Sequence, residues 1–120
     1  MPPDPLGLGV DLGSSGLRLV VVDATGQLWA ELSADYLTSF DDPSGWRQGL
    51  IRLCAQLPAE LRAAVAAIAV DGTSGTLLLC RADGALGPEG LTQALPYYRA
   101  CEEQAAVAAA LVGAEGAQTP

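Results

Sequence analysis

Twice in this chain an apolar run ends in an aspartate and turns through small residues into a second apolar run. The first instance is Val10-Asp11-Leu12-Gly13-Ser14-Ser15-Gly16-Leu17-Arg18, and the weaker second is Val70-Asp71-Gly72-Thr73-Ser74-Gly75-Thr76. Each second run closes on an Asp/Gly turn, Asp23-Ala24-Thr25-Gly26 in the first copy and Ala82-Asp83-Gly84 in the second. A carboxylate beside a Gly/Ser turn at a strand end makes a place for phosphates and hydroxyls. Backbone N–H groups of such turns converge on anions, and the carboxylate holds a cation or a sugar hydroxyl.

The pattern along the chain reads as an α/β fold. Residues 7–10, 17–22 and 27–36 read as an antiparallel three-strand meander, the second strand aliphatic enough to be buried on both faces. Asp42 and Pro43 start a helix as N-cap and first helical residue. Trp46, Leu50, Leu53, Cys54 and Leu57 make its apolar stripe, and Pro58 ends it. Residues 58–64 form a short second helical turn. Residues 65–70 then read as a central strand that delivers Asp71 at its carboxyl end, and a right-handed crossover makes it parallel to the first. Asp11 and Asp71 thereby share one sheet edge, the edge where open α/β sheets bind ligands. Residues 76–80 read as a further strand, residues 99–112 as an alanine-rich helix stopped at Gly113, and residues 113–120 as a frayed tail.

Composition narrows the chemistry by what is missing. There is no histidine and no lysine, which removes Ser-His-Asp triads, Cys-His pairs, most zinc sites, the P-loop lysine and Schiff-base lysines. Six arginines stand against 14 acidic residues, and no basic stripe offers itself to nucleic acid. An anionic substrate would therefore rely on backbone amides, Arg18 and a divalent metal. Cys54, Cys80 and Cys101, widely spaced among apolar neighbours, read as buried reduced thiols. No apolar run approaches the roughly 20 residues that span a bilayer, and the proline-rich start lacks the regions of a signal peptide, so a cytoplasmic protein without membrane partners is expected. At 120 residues the chain is one domain at most.

Bland readings compete at each position. Gly7, Gly9 and Gly13 do not form GxGxxG, because Leu12 stands where the third glycine belongs and a strand follows the turn. One Asp/Gly turn alone would be ordinary hairpin chemistry. Two on one edge, with Arg18 directly after the first, favour a phosphate and sugar site. Trp46 reads as the core anchor of its helix, Trp29 as core or cover, and Tyr97 and Tyr98 as packing residues with hydrogen-bonded tips. Glu102 and Glu103 suit a helix start.

The segment Asp11 to Arg18 resembles the first phosphate motif of sugar kinases in the actin, hexokinase and heat-shock-protein ATPase superfamily. Its spacing to Asp42-Pro43 and Trp46 resembles the FGGY carbohydrate kinases, and Ile68-Ala69-Val70-Asp71-Gly72-Thr73-Ser74-Gly75-Thr76 is most similar to their D-ribulokinase branch of cyanobacterial and plant type. Many FGGY kinases carry an Asp-x-Arg pair where this chain has Tyr97-Tyr98-Arg99-Ala100-Cys101, a departure compatible with that branch. The resemblance implies a ribonuclease H-like fold, with residues 1–112 as the amino-terminal part of the first kinase domain. It implies ATP-dependent phosphorylation of a ketopentose, D-ribulose first, with ATP and Mg2+ as cofactors. Another sugar acceptor such as xylulose, or a non-catalytic fragment, is the alternative.

By the same resemblance, Asp11 positions Mg2+, directly or through water. Gly13, Ser14 and Ser15 lie against phosphate, and Asp11, Ser15, Gly16, Leu17, Arg18 and Asp71 meet substrate, with Asp71 on sugar hydroxyls. Family members are much longer. The catalytic base and adenosine site are expected beyond Pro120, so the domain reads as cut short. The 120 residues alone are expected to be inactive and to associate through the apolar edge left beside the Asp71 strand.

Overall fold

The structure is a computed structural model that describes residues 5–88 and 92–113. Its scaffold is a mixed sheet of β1 (Leu6–Leu12), β2 (Leu17–Val22), β3 (Leu28–Ala34) and β4 (Val65–Gly72), in the spatial order β3-β2-β1-β4. The first three strands form the antiparallel meander, and β4 lies parallel to β1. Between β3 and β4 run helices α1 (Pro43–Gln56) and α2 (Ala59–Ala64). Strand, helix and parallel strand thus occur in the order read from the sequence.

Alternation within the strands separates two faces. Leu6, Leu8 and Val10 of β1 and Leu17, Leu19 and Val21 of β2 point inward, where Leu53 and Leu57 of the α1 region and Leu61 of α2 complete the core. Burial on both faces of β2, expected from its aliphatic run, is not found. Arg18 is exposed and Val20 and Val22 are half-buried, because α1 and α2 cover one face of the sheet only. Asp42 caps α1, its carboxylate accepting from the Ser44 N–H at 3.0 Å and the Ser44 hydroxyl at 2.7 Å, with Pro43 first in the helix. Gly49 lets the helix lie close on β2. A Cβ there would stand 2.6 Å from Leu17 Cδ2.

β4 departs from its expected central place. It is the edge strand, and although its register sets Ile68 beside Leu8 and Val70 beside Val10 on the core side, these two residues remain 64% and 62% exposed. The helices stop short of it. An eight-residue apolar strand with an open edge is a template for pairing. The 120-residue chain is therefore expected to associate with rising concentration, and Ile68→Lys to suppress it; sedimentation velocity across a concentration series checks both.

Both Asp/Gly turns form, and they share one geometry. Asp23 N–H donates to Gln27 O and Gly26 N–H to Asp23 O, just as Arg81 N–H donates to Ala85 O and Gly84 N–H to Arg81 O. Gly26 and Gly84 take positive φ of 85° and 86°, the left-handed residue that closes a three-residue hairpin loop. The second run of the second copy nevertheless stays outside the sheet. In place of a strand over 76–80 there are isolated bridges, Leu77 to Leu95 and Cys80 to Leu86, because the chain turns away at Gly75, φ 75°, and meets no sheet neighbour.

Asp23 also decides the role of Trp29. One carboxylate oxygen accepts from the Thr25 and Gln27 N–H groups and the Thr25 hydroxyl, and the other from Trp29 Nε1 at 3.0 Å. Trp29 is thus a latch on the hairpin rather than core. The Thr25 hydroxyl and then the indole N–H hold the carboxyl down from its ordinary 3.8 to about 2. A depressed acid stabilises the fold fully above the ordinary value and loses that contribution as pH falls towards the lower one. The Trp29 indole N–H resonance is expected to titrate with a midpoint near pH 2; a midpoint near 3.8 would refute the latch.

The last helix begins later than expected. Arg99 is drawn aside, its guanidinium 3.2 Å from Asp41 Oδ2 and its N–H on Pro96 O, so a 3-10 turn (Glu102–Gln104) and α3 (Ala105–Val112) follow, stopped at Gly113 with φ 84°. Residues 114–120 of the expected frayed tail lie outside the described residues. Burial of all three thiols is also corrected: Cys54 is half-buried, whereas Cys80 and Cys101 are exposed on segments that never join the core. No helix among the described residues is long and apolar enough to cross a membrane.

Candidate functional site

The sheet register builds the site. Asp11 of β1 stands opposite Arg18 of β2 and beside Asp71 of β4, and Arg18 stands opposite Ser33 of β3. Alternation puts this row, Asp71-Asp11-Arg18-Ser33, on the face away from the core, with all four residues exposed. Asp11 lies within β1, which continues to Leu12, so strand pairing on both sides fixes its backbone.

Two open clefts share the middle of the row. One, of about 450 Å3, is lined by Asp11, Gly13, Ser15, Gly16, Arg18 and Asp35 among others. Its neighbour, of about 460 Å3, runs over Gly9 and Val20 and is lined by Asp11, Arg18, Glu31 and Asp71. Asp11 and Arg18 wall both; the turn belongs to the first and Asp71 to the second. Leu17 reaches the first cleft only as backbone, since the residue is 1% exposed with its side chain in the core. Ser14 does not line it.

The turn itself is an unusual hairpin end. Gly13 N–H donates to Gly16 O at 2.9 Å, but the reciprocal bond from Gly16 N–H to Gly13 O is not made. Gly13 O instead accepts from Tyr36 Oη at 2.8 Å. Gly13 therefore shapes the turn and offers no free donor to phosphate. Ser14, Ser15 and Gly16 have backbone N–H groups without a partner among the described residues, which suits an anion. Gly16 has a packing reason as well: a Cβ there would stand 2.7 Å from Ala34 O.

Charges in the row are left open. The ion pair among the described residues is Arg99 with Asp41, and none joins Asp11 to Arg18. The Asp11 carboxylate accepts no hydrogen bond among those residues, while Asp71 Oδ1 accepts from the Gly72 N–H at 2.9 Å. No group of three or more potential metal ligands gathers among the described residues. Asp11, whose carboxylate has no donor among the described residues, suits a Mg2+ ion that keeps water and other oxygen ligands, rather than a cage made by protein alone.

Sequence reading missed Tyr36, Ser33 and Asp35. For the last two the strand alternation of β3 was an available signal; for Tyr36, 23 residues from its partner, there was none. Burial, and secondarily the charge of Asp11, push the Tyr36 phenol above its ordinary value of 10.0. Trp46, expected as a core anchor, is half-buried, with Nε1 donating to Phe40 O at 2.8 Å and its ring 5.6 Å from that of Phe40. Tyr97 and Tyr98 do not pack inward. They stack edge to face on each other and stay more than half exposed.

Solved structures of similar fold include sugar kinases. The chain matches a xyloylose kinase from Brucella ovis at 22% identity with a TM-score of 0.68, over 88% of this chain and 24% of that one. A xylulose kinase from Rhodospirillum rubrum matches at 19% identity and 0.68, over 92% and 24%. The fold is ribonuclease H-like, shared with these kinases. A gluconate kinase from Lactobacillus acidophilus shares it too, at 20% identity and a TM-score of 0.61, over 93% and 23%. The chain thus spans about a quarter of the length of each kinase it matches. No protein-family model matches the sequence. At such identities the likeness establishes the ribonuclease H-like fold alone, and the site has to carry the function.

Proposed function

We propose that this chain forms part of the active site of an ATP-dependent carbohydrate kinase of the FGGY type, with D-ribulose as its acceptor. The observation that carries the reading is the in-register row Asp71-Asp11-Arg18 beside a turn with three unpartnered N–H groups, on a fold shared with sugar kinases. Phosphoryl transfer asks a protein mainly to position the groups and to neutralise spread negative charge. In this reading the Ser14, Ser15 and Gly16 amides and Arg18 receive phosphate oxygens. Asp11 holds Mg2+, directly or through water, and Asp71 accepts hydrogen bonds from sugar hydroxyls. When bound, Mg2+ neutralises charge on the phosphate oxygens.

D-ribulose rests on the likeness of residues 68–76 to the ribulokinase branch. Residues 1–112 correspond to the start of the first kinase domain, and the adenosine site and catalytic base come from the remainder of a longer cytoplasmic protein. Xylulose is the competing acceptor, favoured by the named activity of the Rhodospirillum rubrum neighbour. ADP release by the full gene product, assayed with ATP, Mg2+ and D-ribulose, D-xylulose, gluconate or glycerol, tests the reading. D-ribulose is expected to give the highest kcat/KM. A higher value for another sugar moves the acceptor, and no sugar-dependent release at all overturns the kinase.

A further inference from the structure

We infer that Tyr36 is a positioning residue that keeps the phosphate turn open, by drawing the Gly13 carbonyl out of line with the Gly16 N–H that it would otherwise take up. The inference rests on the kinase reading for what the turn binds, but its geometry stands on the hydrogen bonds alone.

In a two-residue hairpin end, the flanking residues exchange both backbone hydrogen bonds. Here Gly13 and Gly16 make one of the two, and Tyr36 Oη stands in for the missing donor at 2.8 Å. The phenol is part-buried and reaches back from just past β3, its ring 5.9 Å from that of Phe40. Phe40 is in turn fixed by Trp46 of α1, through the indole hydrogen bond to its carbonyl and the contact between their rings. The hydroxyl is therefore held from the helix layer, independently of the turn it braces. A carbonyl oxygen can accept twice, so the phenol acts by drawing the Gly13 C=O out of line with the Gly16 N–H, which stays unpaired among the described residues; Gly16 lines the cleft with Ser15, and Ser14 stands beside them in the turn.

Tyr36→Phe removes the hydroxyl and keeps the ring. In the 120-residue chain, labelled for NMR, the variant is expected to melt close to the parent, while its Gly16 amide exchanges more slowly as it closes onto Gly13 O. Loss of a merely structural brace would speed exchange at Ser14, Ser15 and Gly16 together. In the full gene product, which supplies the adenosine site, Tyr36→Phe is expected to raise the KM for MgATP about tenfold, the value of one charge-assisted donor. Faster or unchanged exchange at Gly16, or an unchanged KM for MgATP in the full gene product, overturns the role given to Tyr36. No sugar-dependent ADP release by the full gene product overturns the kinase reading, while the exchange result still decides the role of Tyr36 in the turn.

Discussion

Asp11→Asn is expected to lower kcat about a hundredfold or more at saturating sugar and MgATP in the proposed kinase, with little change in the KM for sugar. Asn fits the same space, and β1 keeps its place because both neighbouring strands pair with it. What disappears is the negative charge between Arg18 and Asp71, the charge proposed to hold Mg2+ against the phosphates. Removing a single preorganised electrostatic contact costs about 10²–10³ in kcat where charge develops in the transition state. Asp71→Asn should act differently, raising the KM for sugar roughly ten to a hundredfold, as expected for hydrogen bonds to a charged acceptor worth about 1.5 to 3 kcal/mol. Steady-state kinetics varying sugar and MgATP separately discriminate the two. Sugar dependence untouched by Asp71→Asn would leave the second motif as a turn only and remove the main support for a pentulose.

Leu53→Ala is expected to destabilise the 120-residue chain by about 2–5 kcal/mol, the range for opening a cavity in a packed core. Leu53 is 0% exposed and sits where α1 meets Leu17 and Leu19, themselves 1% and 0% exposed. A small domain holds only about 5–15 kcal/mol in all. The melting temperature should therefore fall by roughly 4–8 °C for each kcal/mol lost. Leu50→Ala, on a half-buried neighbour, should cost visibly less. Equal losses at both positions, read by thermal scans, would mean that α1 does not pack as described.

Local chemistry made much of this fold legible. The Asp42-Pro43 cap, the helix stripe and the two Asp/Gly turns are decided within a few residues, and each formed where its residues indicated. Errors arose where neighbours decide. The aliphatic β2 is covered on one side only, β4 has the composition of a central strand but lies at the edge, and residues 76–80 have strand-like residues with no sheet to join. For the candidate site, the strand-helix-strand order with its right-handed crossover indicated that the two aspartates would share one edge, and parallel register places them side by side. The Gly13 amide was read as a phosphate donor, yet it is consumed within the turn, and the donor balance depends on a phenol that no local pattern connects to it.

The position of β4 also sets an order of assembly. The meander closes through two short connections, whereas β4 reaches β1 only after more than 50 intervening residues, so on closure entropy β4 is the strand expected to pair last. Asp71 rides on that late strand, while Asp11 and Arg18 belong to the early hairpin. The row is thus complete only once β4 has paired with β1, and ligands held on Asp71 and Asp11 side by side would act as a clasp across that seam.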